Sequence, residues 1–162
     1  MDDLERLIAI EEIKRLKARY FRCVDTRNWE ELATLFAPDI AFNRAWAGVV
    51  LDQLTGGWKP SQPKDEIVHG REAVTAMVRR AMGSIRSVHH GHMPEIEVRD
   101  AQFATGMWAM EDILRWSANS TYPNQSAHGY GHYFETYEKL DGQWRIKSMK
   151  LRRLRVDLGT TS

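Results

Sequence analysis

The sequence predicts an α+β fold in which helices come first and an antiparallel sheet follows. Between Leu4 and Val24 apolar residues recur at helical spacing, whereas the second half alternates apolar and polar residues over long stretches. Asp141-Gly142, between the last two of these stretches, is a dipeptide typical of a β-hairpin turn. Helices followed by a meander of strands indicate a curved sheet folded over the helices.

The first two helices are predicted from their starting residues and their apolar stripes. The first begins at Asp2 or Asp3 and runs to the end of the stripe at Val24. The second begins at Asn28, because Asn28-Trp-Glu-Glu31 resembles a capping box. We expect the second helix to end at Ala37-Pro38, since proline cannot continue a helix.

A third helix and four long strands account for most of the remaining chain. The stretch HGREAVTAMVRRAMG predicts a helix that ends at Gly83. Residues 40–42 predict a short strand, and residues 44–66 and 117–128 predict loops, the first of them long and containing tryptophan and proline. The long strands are predicted at His89–Arg99, Phe103–Trp116, Tyr130–Leu140 and Trp144–Val156.

Composition limits the possible functions. A chain of 162 residues that is 43% hydrophobic suits one domain, and a formal charge of +1 without charged blocks gives no reason to expect nucleic acid or an anionic membrane as partner. The start is acidic and amphipathic, unlike a secretory signal, and no stretch is apolar enough to span a membrane. Cys23, as the only cysteine, excludes an internal disulfide. We therefore expect a cytoplasmic protein whose partner is a small molecule or another copy of itself.

Three of the six histidines stand in the stretch VHHGH. Strand alternation places His89, Gly91 and Met93 on one face and His90 and His92 on the other, so at most two of the three can cooperate. His90 and His92 could form half of a metal site. However, the sequence offers no carboxylate or cysteine at a companion spacing and no HExxH or CxxC motif, so no metal site is predicted.

Two carboxylates stand at positions that ordinary structure does not explain. Asp112 falls on the apolar face of its predicted strand, so it is either paired beside a cavity or reaches water at a sheet edge. Asp25 lies in the last turn of the first helix, where the helix dipole favours cations. Asp25 therefore either caps the turn before Asn28 or binds another group, for which an imidazole is the obvious candidate.

Four segments resemble the SnoaL-like branch of the NTF2-like superfamily and, within it, the bile-acid 7α-dehydratases. They are EEIKRLKARYFRCVDTRNWEELATLFAPDI, VHHGHMPEIEV, ATGMWAMEDIL and YEKLDGQWRI. The resemblance extends from about Glu11 to Val156. It implies a single SnoaL-like domain over residues 1–162, built as a cone of three N-terminal helices packed in a strongly curved, mainly antiparallel sheet.

The resemblance also implies the site residues. Tyr20 corresponds to the catalytic tyrosine, and Asp25 with His89 to the catalytic dyad, which leaves His90 and His92 without a role. Asp112 and Arg153 correspond to pocket residues, although Arg152 and Arg155 are alternatives for the arginine. A small apolar substrate with polar ends would bind in a pocket bordered by Trp108, Met110 and Leu114.

The implied activity is that of a hydro-lyase that needs neither metal nor cofactor. It would eliminate water from a hydroxylated steroid such as a 7α-hydroxy-3-oxo-Δ4 bile-acid derivative, with His89 as base and Tyr20 as acid. The alternatives are a ketosteroid-isomerase-like or cyclase-like enzyme and a non-catalytic ligand-binding protein. Scytalone dehydratases and hexachlorocyclohexane dehydrochlorinases share the Asp25 and His89 positions, but scytalone dehydratases use a second histidine and a phenol where this chain has Trp108 and Val24.

The same resemblance implies a homotrimer that associates through the outer face of the sheet. One observation from the sequence agrees with it. The third long strand is aromatic on both faces, with Tyr133 and Tyr137 on one and Tyr130 and Phe134 on the other, and a two-sided apolar sheet needs a second cover.

Overall fold

The structure is a computed structural model, and it describes residues 1–43, 49–51, 58–60, 67–120 and 122–160. The helices are α1 (Asp3–Thr26), α2 (Trp29–Thr34) and α3 (Arg71–Met82). The strands are β1 (Phe36–Asn43), β2 (Val49–Leu51), β3 (Trp58–Pro60), β4 (Ile67–His69), β5 (Ile85–Val98), β6 (Phe103–Trp116), β7 (Gln125–Leu140) and β8 (Gln143–Thr160). None of the helices in these residues combines the length and the apolar character that crossing a membrane requires.

The strands form one curved, mixed sheet in the order β3-β2-β8-β7-β6-β5, with β1 paired to both β8 and β4. Strands β5 to β8 form an antiparallel meander, whereas β1 and β2 run parallel to β8. One apolar core joins α1 and α3 to the strand face that carries Trp108, Met110 and Tyr133. We call this face the inner face and the opposite one the outer face. The predicted α+β fold with a curved, mainly antiparallel sheet is confirmed.

Side-chain caps start the first two helices as predicted. The Asp2 side chain accepts a hydrogen bond from the Glu5 backbone, and the Glu5 side chain accepts one from the Asp2 backbone, which completes a capping box. The Asn28 side chain accepts a hydrogen bond from the backbone N–H of Glu31 at 3.2 Å. Both helix starts therefore follow from local sequence.

The predicted end of α2 at Ala37-Pro38 is wrong, because the helix ends at Thr34 and these residues belong to β1. Phe36 pairs with Ile146 of β8, and regular pairing resumes only at Ala41 after a shift in register. Pro38 lies within this irregular stretch, where its missing N–H removes no hydrogen bond of the regular ladder. The proline therefore sits in a strand instead of ending a helix.

The sheet is more extensive than predicted. Strands β5, β7 and β8 all continue beyond the predicted ends, to Ile85, Gln125 and Thr160. The predicted loop at 44–66 contains the short strands β2 and β3, which pair with each other, and Val50 of β2 pairs with β8. The rest of that predicted loop lies outside the described residues. The sequence of β2 and β3 shows no clear alternation of apolar and polar residues. Pairing of β2 with the long strand β8, and of β3 with β2, explains why these segments are nevertheless extended.

Candidate active site

The end of α1 meets the start of β5, and this junction brings Asp25 and His89 together. Arg27, directly after α1, donates hydrogen bonds to the carbonyl oxygens of Gly83 and Ile85, at 3.0 and 2.6 Å. Asp25 Oδ1 then lies 2.6 Å from His89 Nδ1, and Asp25 Oδ2 accepts the His89 backbone N–H at 2.8 Å. Asp25 thus has the imidazole partner that its position in the helix suggested.

The environment of Asp25 keeps it ionised. Burial alone raises the pKa of Asp25, but hydrogen bonds from the ring and the backbone of His89 and from the Ser87 hydroxyl outweigh it, so the pKa lies below its ordinary value. The Ser87 hydroxyl donates to Oδ1 at 2.8 Å. A carboxylate that binds Nδ1 orients the ring and makes Nε2 the basic nitrogen. The geometry therefore suits His89 as a general base.

Strand alternation separates the three neighbouring histidines as predicted. The side chain of His89 is 6% exposed, whereas those of His90 and His92 are 52% and 53% exposed. Met93 was expected on the His89 face, but it is 91% exposed. The pairing of β5 with β6 shifts register between Gly91 and Pro94, and this bulge explains why Met93 leaves the inner face.

A second imidazole–carboxylate group lies on the outer face. Glu111 of β6 lies 3.5 Å from His90, 3.6 Å from His92 and 2.7 Å from His128 of β7. Glu111 was not predicted as a companion of these histidines, because it is far from them along the chain and only sheet pairing brings it near. Among the described residues, no group of histidine, cysteine, aspartate or glutamate side chains is arranged to hold a metal ion.

A cavity of about 610 Å³ opens between the helices and the inner face of the sheet. It falls in the range of about 300 to 1,000 Å³ that is usual for small-molecule sites. Five of the eight residues predicted for the site line this cavity, namely Tyr20, His89, Asp112, Leu114 and Arg153. Apolar side chains from α1, α3 and the sheet make up much of the remaining wall, namely Val24, Phe42, Met77, Val78, Ala81, Met82 and Leu151, and Arg80 of α3 also lines it.

The other predicted residues lie close to the cavity without lining it. Asp25 is behind His89, on the side away from the cavity, where it borders a smaller hollow together with Trp108. Trp108 and Met110 are buried in the core, and the Trp108 indole donates a hydrogen bond to the Tyr137 hydroxyl at 2.8 Å. The structure therefore gives Trp108 a structural partner within the core.

Asp112 is 2% exposed and forms a two-pronged ion pair with Arg153. The two nitrogen–oxygen distances are 2.9 and 2.6 Å. Burial alone lowers the pKa of Arg153, but the hydrogen bonds and charge of Asp112 raise it above its ordinary value. Of the three candidate arginines, Arg153 faces the cavity, whereas Arg152 lies over Phe134 and Arg155 pairs with Asp157.

A glycine on β7 makes room for this ion pair. A Cβ atom added to Gly129 would lie 1.8 Å from Arg153 Nη1 and 2.3 Å from Asp112 Oδ1. Gly129 pairs with Asp112 on one side and with Val156 on the other, so the guanidinium and the carboxylate meet over its bare backbone. A glycine inside a strand often marks a place where other groups approach the backbone closely. Gly129, in the stretch HGYGH, is such a glycine.

Three further residues beside Tyr20 were not predicted. Tyr133 lines the cavity, and its ring centroid lies 6.2 Å from that of Tyr20. Lys17 and Glu135 are fully buried and form an ion pair next to both phenols. The sequence did contain a sign of this ion pair. Lys17 falls on the apolar stripe of α1, and Glu135 falls on the same strand face as Tyr133. A charged residue on an apolar face is the feature that singled out Asp112.

The pKa of Tyr20 is raised, first by burial and then by the negative charge of Glu135. The neighbouring Tyr133 side chain acts in the opposite direction and lowers the pKa of Tyr20. Tyr20 is therefore protonated throughout the neutral pH range. It can donate a proton or a hydrogen bond into the cavity, whereas it cannot serve as a resting base.

Comparison with known proteins identifies related chains. Residues 5–150 match the family model of the SnoaL-like domain. Among solved structures, a candidate scytalone dehydratase from Novosphingobium aromaticivorans is 24% identical, with a TM-score of 0.75 over 94% of this chain and 89% of that chain. A hexachlorocyclohexane dehydrochlorinase, LinA-type3, from Novosphingobium barchaimii is 19% identical, with a TM-score of 0.75 over 98% and 94%. A Mycobacterium tuberculosis protein of unknown function is 28% identical, with a TM-score of 0.68 over 92% and 78%.

Proposed function

Since the chain belongs to the SnoaL-like domain family of the NTF2-like superfamily, we propose that it is a cofactor-independent dehydratase. The observation that carries the proposal is the Asp25–His89 pair at the wall of an apolar cavity that also contains the Tyr20 phenol. A base and an acid on the wall of one cavity are what elimination of water requires. Two of the structural neighbours carry the names of lyases, which agrees with this chemistry.

In the proposed reaction His89 removes a proton from a carbon atom. Asp25 binds Nδ1, so Nε2 accepts the proton, and the ionised carboxylate stabilises the imidazolium that forms. No metal is needed when a carbonyl group conjugated with that carbon acidifies its proton. A base positioned in this way is worth about a hundred- to ten-thousandfold in rate.

Tyr20 is the proposed acid. Hydroxide is a poor leaving group, and its departure becomes easier when a phenol donates a proton to the oxygen as the bond to carbon breaks. Because the pKa of Tyr20 is raised by burial and by Glu135, the proton is present at neutral pH. After the reaction the imidazolium on His89 and the phenolate on Tyr20 return to their starting states by transfer of one proton, so no external reactant is consumed.

The proposed substrate is a 7α-hydroxy-3-oxo-Δ4 steroid, such as a bile-acid derivative. Its enone makes the C6 protons acidic, and loss of the C7 hydroxyl gives a conjugated dienone. The mainly apolar wall of the cavity suits such a ring system, and the buried Asp112–Arg153 pair supplies hydrogen-bonding groups at one position. This substrate class comes from the resemblance of the sequence to bile-acid 7α-dehydratases.

The experiment is incubation of purified protein with this steroid, followed by absorbance of the extended dienone and by the mass of the product. We expect loss of one water and growth of the dienone absorbance. A shift of the double bond without loss of water would favour an isomerase instead. Tight binding without turnover would favour a ligand-binding protein.

We further propose that the protein is a homotrimer associated through the outer face. Phe134 on this face is 38% exposed, and Val88, on the same face of β5, is 47% exposed. Covering these side chains would remove apolar surface from water. Sedimentation at micromolar concentration should show a single species of three times the chain mass, and a monomer would reject the proposal.

A further inference from the structure

The charged groups in the cavity wall do not balance. The lining residues with a permanent charge are Arg80, Asp112 and Arg153, in the part of the chain that the structure describes. Asp112 and Arg153 form the two-pronged ion pair, so their charges cancel. No carboxylate of the described residues forms an ion pair with Arg80. This part of the wall therefore has an excess of positive charge, which suits an anionic ligand.

Arg80 lies in the last turn of α3, where the cavity meets solvent. Met77, one turn earlier in the same wall, is buried, whereas Arg80 and Ala81 are exposed. At the other end of the cavity the wall is closed, since Tyr20 and Asp112 are only 4% and 2% exposed. The end of α3 therefore forms the mouth of the cavity, and Arg80 stands beside it.

The end of α3 is anchored to the elements that carry the dyad. Arg27, directly after α1, donates hydrogen bonds to the carbonyl oxygens of Gly83 and Ile85, on either side of the turn from α3 into β5. Asp25 belongs to the same end of α1, and His89 belongs to β5. The backbone at the mouth is therefore held in place relative to the dyad, while the long side chain of Arg80 can adjust to a ligand.

The two polar positions of the cavity suit different groups of a ligand. An anion beside Arg153 would compete with Asp112, and taking the partner from a buried carboxylate is costly, so a neutral group such as a ketone fits there better. At the mouth, the Arg80 guanidinium can bind a carboxylate through two parallel N–H bonds. The cavity thus suits a ligand with a neutral polar end inside and an acidic end at the mouth.

The helix dipole gives another reason for a cation at this place, since it favours positive charge at the end of a helix. Arg79 and Arg80 both stand in the last turn of α3, and both are exposed, so the dipole treats them alike. Of the two, Arg80 lines the cavity. Arg79 is therefore a matched control with the same charge in the same turn.

We propose that Arg80 determines specificity for acidic substrates by binding a carboxylate of the substrate at the mouth of the cavity. The inference rests on the proposed function and deepens it, because it specifies the substrate as a steroid with an acidic side chain. In a steroid the 3-oxo group and the side chain are at opposite ends, and C6 and C7 lie between them. The ketone then points to the Asp112–Arg153 pair, the carboxylate to Arg80, and the reacting carbons to His89 and Tyr20.

The test is binding of two probes that cannot react, measured by isothermal titration calorimetry. One probe is a 3-oxo-Δ4 steroid acid that lacks the C7 hydroxyl, and the other is the alcohol made by reducing its side-chain carboxyl group. We compare wild type with Arg80→Met, which removes the charge and keeps an apolar stem, and with Arg80→Lys, which keeps the charge. Arg79→Met is the control.

We expect wild type to bind the acid about tenfold more tightly than the alcohol, between the effect of an exposed ion pair and that of a buried charged hydrogen bond. Arg80→Met should remove this preference, Arg80→Lys should keep part of it, and Arg79→Met should keep all of it. Added salt should weaken binding of the acid and leave that of the alcohol unchanged. With the 7α-hydroxy acid as substrate, Arg80→Met should raise KM and leave kcat nearly unchanged.

Three results would overturn the inference. The first is a wild type that binds the acid no better than the alcohol. The second is an equal loss of affinity for both probes in Arg80→Met, which indicates a role in shape alone. The third is a loss of preference in Arg79→Met as large as in Arg80→Met, which indicates a general effect of positive charge. A wild type that prefers the acid as expected, but releases no water from the 7α-hydroxy acid, supports the inference and rejects the dehydratase function.

Discussion

Two imidazole–carboxylate groups lie on opposite faces of the same strands, and they differ in what surrounds them. On the inner face, Asp25 binds His89, whose side chain is 6% exposed and lines the cavity. On the outer face, Glu111 lies among His90, His92 and His128, all of which are at least one-third exposed. Adjacent residues of β5 thus belong to two groups of similar chemistry.

The difference teaches that pairing alone does not identify a catalytic dyad. Both carboxylates have a pKa below the ordinary value: Asp25 because hydrogen bonds outweigh its burial, and Glu111 chiefly through the hydrogen bond from His128. What separates them is the cavity. Within the described residues, the inner pair adjoins the cavity of about 610 Å³, whose wall also carries the Tyr20 phenol. We therefore assign chemistry to the inner pair.

The largest expected effect comes from the inner pair. Asp25→Ala and His89→Ala should each lower kcat about a hundredfold or more, since they remove the base or its orientation. Because the two residues act as a unit, the double variant should be little worse than the worse single variant. Steady-state kinetics of the three proteins measures this coupling. Multiplied effects in the double variant would mean that the residues act separately.

The second expected effect concerns the ion pair beside the inner dyad. Gly129→Ala would place a methyl group against Arg153 and Asp112, so the pair must shift or separate. We expect a loss of about 1 to 3 kcal/mol in the free energy of unfolding, together with weaker substrate binding. Gly142→Ala is a control with open space around its Cβ but strain from its φ of +76°. Denaturant unfolding of both proteins measures the difference; equal substrate KM values would show that the pair has no part in binding.

The third expected effect is on pH dependence. Because the folded pKa of Asp25 lies below its ordinary value, its ionisation stabilises the fold above the unfolded pKa of about 3.9, and this stability is lost as the pH falls through the lower folded value. Asp25→Asn should therefore be less stable than wild type at neutral pH and approach it below about pH 4. Thermal unfolding between pH 7 and 3 measures both curves. A constant gap would show that the charge of Asp25 does not contribute.

The smallest effect is expected on the outer face. Glu111→Gln should change kcat less than about threefold, since surface substitutions away from a site are usually mild. A chelator such as EDTA should leave the activity unchanged, because the proposed chemistry uses no metal. Loss of activity on chelation, with recovery on adding zinc, would assign a metal-dependent role to the outer histidines. It would contradict the assignment of the chemistry to the inner pair.

Local rules predicted much of the fold and part of the site. The capped helix starts and the Asp141-Gly142 turn, with φ of 50° and 76°, depend on neighbouring residues and could be recognised in the sequence. The prediction that α2 ends at Pro38 was wrong because the place of Pro38 in β1 depends on a register shift against β8, more than a hundred residues away. The prediction that Met93 shares the face of His89 was wrong for a similar reason, because strand alternation does not predict a bulge.

In the site, too, individual residues could be recognised from the local sequence, whereas their contact partners depend on the tertiary structure. The sequence marked Asp25 and Asp112 as carboxylates out of place, and the structure pairs both. The sequence suggested an imidazole for Asp25, and the resemblance identified it as His89, whereas the pairing of Asp112 with Arg153 was not predicted. These partners meet only through tertiary structure, because α1 packs on β5 and Arg153 of β8 reaches Asp112 of β6 across Gly129 of β7. Tyr133 looked like an ordinary core residue, since nothing in the sequence shows that α1 places Tyr20 beside it.

The most direct test of the account compares neighbouring histidines on one strand. Rates of water loss from the 7α-hydroxy-3-oxo-Δ4 steroid are measured for wild type, His89→Ala, His90→Ala and His92→Ala, with circular dichroism to verify folding. We predict a loss of about a hundredfold or more in His89→Ala and near wild-type rates in the other two variants. Similar losses in all three, or an active His89→Ala protein, would contradict it.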